Sequence, residues 1–83
     1  MNSSEARDAI QKALIAATKN ESAALPMKGD LLELNMIDSL EGMVLLLEIS
    51  TITGVEFPEE DPIEKGFFDV EQLVAYLVAN GGA

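Results

Sequence analysis

Three stretches of this chain carry apolar residues at helical spacing behind a helix-starting signature, and none alternates apolar and polar residues as a half-buried strand does. Between Ser4 and Thr18, Ala6, Ile10, Ala13, Leu14 and Ala17 recur on one face, and Asn2 with Glu5 is placed to form a capping box. Asp38 is an N-cap residue with Glu41 three positions on, and Leu40 to Ile52 is dominated by apolar residues until Gly54 stops the run. Asp69 and Gln72 repeat the pattern ahead of Val70, Leu73, Val74, Leu77 and Val78, and Asn80-Gly81-Gly82 ends it. A further short helix is predicted over Ile63 to Lys65. The chain is therefore expected to be all-α, a four-helix bundle with a short third helix and a long loop between helices one and two.

That loop, residues 19 to 37, carries Asn20, Pro26, Gly29 and Asn35, with Leu25, Leu31, Leu32 and Leu34 expected to be partly tucked into the core. A connection this long in a small domain points to function or to a minor helical turn. Gly54 to Pro62 is a second connection, rich in turn formers and acids, and Phe67 and Phe68 after it are read as core plugs. Helix two has more apolar surface than one contact face uses. Leu40, Met43, Val44 and Leu47 share one stripe, and Leu45, Ile49 and Ile52 lie nearly opposite with Leu46 to one side. One stripe must pack, and the other is either buried as well or free to meet a partner. Gly42 costs roughly 1 kcal/mol relative to alanine inside this helix and is read as tolerated.

Composition narrows the chemistry. With 83 residues, 48% of them hydrophobic, residues 1–83 are expected to form one domain with a single modest core and no deep cavity. Cysteine and histidine are both absent. Disulfides, thiolate or imidazole metal sites and histidine-based catalysis are thereby excluded, so no catalytic residue and no metal ligand is assigned. Fifteen acidic residues against five basic ones give a formal charge of −10, which disfavours nucleic acid and anionic membranes and favours partners with basic patches. No stretch has the composition of a membrane span or a signal peptide, so a cytoplasmic monomer is the expectation.

Ser39 stands at the first turn of helix two, where free backbone N–H groups and the positive end of the helix dipole favour a phosphate. Ile37-Asp38-Ser39-Leu40, followed by Met43, Leu46-Leu47 and Glu48-Ile49, resembles the attachment segment of acyl and peptidyl carrier proteins. Asp30-Leu31-Leu32-Glu33 upstream, Gly54-Val55-Glu56-Phe57-Pro58-Glu59-Glu60 downstream, and Phe68-Asp69-Val70-Glu71 with Leu73 and Tyr76-Leu77 extend the resemblance over residues 30 to 78. Helix one matches in pattern alone.

The resemblance implies a four-helix bundle in which the serine matching Ser39 accepts 4′-phosphopantetheine from coenzyme A through a phosphopantetheinyl transferase. The arm's terminal thiol would carry a thioester-bound acyl or aminoacyl cargo, which accounts for a carrier that has no cysteine of its own. Asp38 would fix the helix start, and Leu40, Met43 and Leu47 would form the partner-reading surface. Met36 stands where typical members have glycine, a change similar to stand-alone carriers of the D-alanyl or pyrrolyl type. The subgroup implies an adenylating ligase or other loading enzyme and a downstream acyltransferase or synthase as partners. The alternative reading from the residues is an acidic helical interaction module in which Ser39 is only a helix-start residue. A calcium module built on Glu56, Glu59, Glu60, Asp61 and Glu64 lacks the alternating ligands and central glycine of an EF-hand loop. An enzyme would have to work with exposed carboxylates or lysines and no pocket.

Overall fold

The computed structural model describes residues 1–81. Three α-helices account for the regular structure, α1 (Ser3–Thr18), α2 (Ser39–Thr53) and α3 (Val70–Asn80), with no strand among the described residues. The first two starts follow local chemistry. The Asn2 side chain accepts from the Glu5 amide at 2.8 Å while Glu5 accepts from the Asn2 amide at 2.9 Å, a complete capping box. Asp38 and Glu41 repeat it at the head of α2, at 2.7 and 3.0 Å. At α3 the Asp69 carboxylate accepts from the Gln72 amide at 3.1 Å, but the return bond is absent because the Asp69 amide already donates to Gly66 O. Of the predicted Asn80-Gly81-Gly82 stop, Gly82 lies outside the described residues, and the Gly81 amide closes the helix on Leu77 O at 2.7 Å.

The short third helix is not formed, so the bundle has three helices among the described residues and not four. Residues 62 to 68 are a run of turns in which the Lys65 amide reaches Asp61 O, the Gly66 amide reaches Ile63 O and the Phe67 amide reaches Pro62 O. One helical turn begins there and cannot propagate. Gly66 leaves the right-handed region at φ +73°, and Ile63 is 55% exposed with no core face to drive it inward.

Helix α1 packs against both α2 and α3, while α2 and α3 make no close backbone approach to each other among the described residues. Ala6, Ile10, Ala13 and Leu14 from α1 meet Leu45 and Ile49 from α2, and Leu73 and Leu77 from α3, in one core that also takes in Phe67, Phe68 and Val70. The two phenylalanines are plugs as expected, 7% and 1% exposed. Small alanines on α1 let its neighbours come close, and the aromatic rings fill the wider space between α2 and α3.

The long loop divides. Leu31 is fully buried and Leu25 and Leu32 pack partly on the core, but Leu34 is half exposed. Its centre is tied to the start of α3 by a single antiparallel bridge between Asp30 and Asp69, in which Leu31 N–H donates to Phe68 O and Val70 N–H donates to Gly29 O. Farther back, Gln11 on α1 clamps the loop by donating to Ala23 O and accepting from the Leu25 amide, both at 2.6 Å. These bonds fix the approach to Asp38.

Candidate functional site

Asp38 and Ser39 stand where the loop becomes helix. Asp38 is extended at φ −99°, ψ −178°, and both halves of the capping box use Asp38 and Glu41, which leaves the Ser39 hydroxyl outside the cap. Ser39 is the first helical residue and is exposed. The first intrahelical bond is from Gly42 N–H to Asp38 O at 2.8 Å, so the amides of Ser39 and Leu40 lie ahead of the helical ladder. A nucleophilic oxygen bonded to a phosphate there gains from those donors and from the helix dipole, offset in part by the adjoining Asp38 and Glu41 carboxylates.

Which stripe of α2 packs is decided plainly. Gly42, Leu45, Leu46 and Ile49 are buried, whereas Leu40, Met43 and Leu47 are 75%, 51% and 67% exposed. The three exposed residues run down the helix from Ser39, and Leu47 lies about 12 Å from it along the axis at 1.5 Å per residue. Val44, grouped with them by periodicity, is instead half-buried against the core, and Ile52, grouped with the packing stripe, is exposed. The structure thus brings Ser39, Leu40, Met43 and Leu47 onto one open surface.

Two features of this region escape periodicity. Gly42 is not merely tolerated: the Phe68 ring occupies the space its missing side chain leaves, and a Cβ built there would lie 2.7 Å from Phe68 Cζ. The segment 56–62 also returns alongside α2 to make a groove of about 550 Å³ whose apolar lining includes Met43, Leu46, Leu47 and Phe57. Phe57 between charged and proline residues was the available sign, since an apolar ring in so acidic a connection needs a packing partner. It finds Tyr76 stacked at 5.2 Å and Phe67 edge-on at 5.3 Å.

Among the described residues, no group of three or more carboxylates converges as a cation site, so Glu56, Glu59, Glu60, Asp61 and Glu64 remain a spread of acids along a loop. No described helix is long and apolar enough to cross a membrane. No family model, no curated protein and no solved structure matches the chain.

Proposed function

We propose that this chain is a carrier protein that presents an acyl or aminoacyl cargo on a 4′-phosphopantetheine arm attached to Ser39. The observation that carries the reading is the position of Ser39, an exposed hydroxyl at the first residue of a capped helix, with an exposed apolar stripe running from it. The residues fit such a group: Ser39 Oγ would hold the phosphodiester, and the unladdered amides of Ser39 and Leu40 would face its charge. When bound, the group supplies the thiol that a chain without cysteine lacks.

Each neighbouring residue has a task in this reading. Asp38 and Glu41 hold the helix start rigid, so the attachment point is displayed in one orientation. Leu40, Met43 and Leu47 offer the surface that a phosphopantetheinyl transferase, a loading ligase and a downstream acyltransferase or synthase would read in turn. In the carrier reading, the turn segment 62–68 would take the place of the short third helix that the resemblance implies. The test is intact mass after incubation with coenzyme A, magnesium and a broad-specificity phosphopantetheinyl transferase, followed by peptide mapping. A single adduct on Ser39 is expected. Refusal by several transferases would leave the second reading, an interaction module, which rests on the same exposed stripe without the serine.

A further inference from the structure

The Asn80-Gly81 pair that ends α3 is chemically unlike the rest of the chain. Of the four asparagines, Asn2, Asn20, Asn35 and Asn80, the last alone precedes glycine. Glycine has no β-carbon to shield its amide nitrogen or to narrow its backbone, so a preceding asparagine can fold its side chain onto that nitrogen. The Gly81 nitrogen, having lost its proton to hydroxide, attacks Asn80 Cγ. The N–Cγ bond forms, the Cγ–Nδ2 bond breaks, and Nδ2 leaves as ammonia with a proton from water. Water then opens the cyclic imide at either carbonyl, giving aspartate or, where the main chain stays routed through Cγ, isoaspartate. In sum one water is taken up and one ammonia released, and nothing is oxidised or reduced.

The closed end of α3 opposes each part of that step. Gly81 N–H donates to Leu77 O at 2.7 Å, which holds the proton that must leave, and Asn80 Nδ2 donates to Tyr76 O at 2.8 Å, which draws the carboxamide back along the helix. Asn80 is itself helical, and its Cγ reaches the next amide only after its backbone leaves that conformation. The hold is local. No basic residue stands in the last turn to complement the helix dipole, and Val78, Ala79 and Asn80 are exposed. A helix end of this kind opens while the rest of the fold stays intact.

We propose that Asn80-Gly81 is a self-modification site, converted by water through a succinimide to isoaspartate and aspartate whenever the last turn of α3 opens. The product also keeps that turn open. A carboxylate cannot donate to Tyr76 O, and it adds one negative charge to the −10 of the chain at the negative end of the helix. Isoaspartate in addition lengthens the main chain by a methylene, so the Gly81 amide loses its register with Leu77 O. Gly81 is closely fitted there: a β-carbon on it would lie 2.7 Å from Leu77 O and 3.1 Å from Val55 Cγ2. Modification therefore loosens the packing over Val55, a core residue, at a site that does not depend on the carrier reading.

The full chain is aged in warm, mildly alkaline buffer with and without denaturing urea. Amide loss is mapped by peptide mass spectrometry, and isoaspartate is identified by enzymatic carboxyl methylation. In urea, Asn80 is expected to react faster than Asn2, Asn20 and Asn35 and to yield more isoaspartate than aspartate. In the folded chain Asn80 remains the site of amide loss but reacts about tenfold or more slowly than in urea. Ala79→Gly weakens the last turn at an exposed position and raises the folded rate about fivefold, with the rate in urea unchanged. Asn80→Gln, which would have to close a larger ring, loses no amide at that position. Hydrogen exchange in the aged protein is faster at residues 78 to 81, with α1 unaffected. Equal rates at the four asparagines in urea, equal rates at Asn80 with and without urea, no amide loss from the folded chain, aspartate without isoaspartate, or a folded rate that Ala79→Gly does not move overturns the proposal.

Discussion

Gly42 of α2 and Phe68 of the turn before α3 fit one another so closely that a β-carbon on Gly42 would sit 2.7 Å from the ring's Cζ and 2.9 Å from a second ring carbon. Since α2 and α3 make no close backbone approach among the described residues, this contact is a main link between them. Phe68 is 1% exposed, enclosed within the core. Gly42→Ala should therefore destabilise the fold by about 1 to 2 kcal/mol, because overpacking outweighs the roughly 1 kcal/mol gain in helix propensity. Urea denaturation checks this, and Phe68→Leu made in the Gly42→Ala background should recover part of the loss. Strictly additive effects would show that the two residues do not touch.

Asp38 and Ser39 separate the helix cap from the proposed attachment point at adjacent positions. Asp38→Ala removes one half of the capping box and should cost about 1 kcal/mol of stability. Ser39→Ala should change stability by less than about 0.5 kcal/mol, because an exposed residue outside the cap supports little packing. The same Ser39→Ala protein should accept no phosphopantetheine when its intact mass is measured. An adduct that persists in it would place the attachment elsewhere.

Leu45 and Leu47 lie two residues apart on α2, one fully buried and the other 67% exposed. Leu45→Ala should cost about 2 to 5 kcal/mol by opening a cavity in the core. Leu47→Asp should cost less than about 1 kcal/mol, chiefly helix propensity, while it impairs turnover by any loading enzyme. Thermal melts of the two variants decide the matter, and comparable losses would mean that Leu47 is core.

Lys19 ends α1 in the left-handed region at φ +56°, ψ +31°, where its amide donates to Ile15 O at 2.8 Å. A side chain with a β-carbon is strained there by about 1 to 2 kcal/mol, a cost glycine escapes. Lys19→Gly should stabilise the protein by about 0.5 to 1 kcal/mol after the entropy of a freer unfolded chain is counted. A melting temperature that rises by about 2 to 8 °C would agree, at the 4 to 8 °C per kcal/mol of a domain this small. A fall would show that the lysine side chain contributes more than its backbone strain removes.

Tyr76→Phe deletes the hydroxyl that donates to Glu56 O but leaves the ring to stack on Phe57. The loss should be about 1 kcal/mol and local, seen as faster amide hydrogen exchange at Val55 and Phe57 with α1 unaffected. Unchanged exchange there would mean that stacking alone holds the segment.

Much of the fold was legible because it is local. The pairs Asn2 with Glu5 and Asp38 with Glu41 act across three residues, and Gly54 ends α2 at φ +75° by its own freedom of backbone. The spacing of Ala6, Ile10, Ala13, Leu14 and Ala17 also named the buried face of α1 before any partner was known. Ile63 to Lys65 failed the same reasoning because a single turn has no length to propagate, and Gly66 bends the chain away before one is gained. At the candidate site, the position of Ser39 at a capped helix start was readable from Asp38 and Glu41 alone.

What sequence by itself determined, then, is where each helix begins and ends, which face of α1 packs, and that Ser39 opens α2. Those properties follow from hydrogen bonds and periodicity within a few residues. Only the tertiary structure decided which side of α2 is covered, since an apolar helix carries no internal mark of inside and outside. It likewise decided that Gly42 makes room for Phe68, that Asp30 pairs with Asp69, and that an acidic segment folds back beside Met43 and Leu47. Each of these joins residues at least 9 positions apart, as Leu47 and Glu56 are, and rests on packing among elements and not on the propensity of any one.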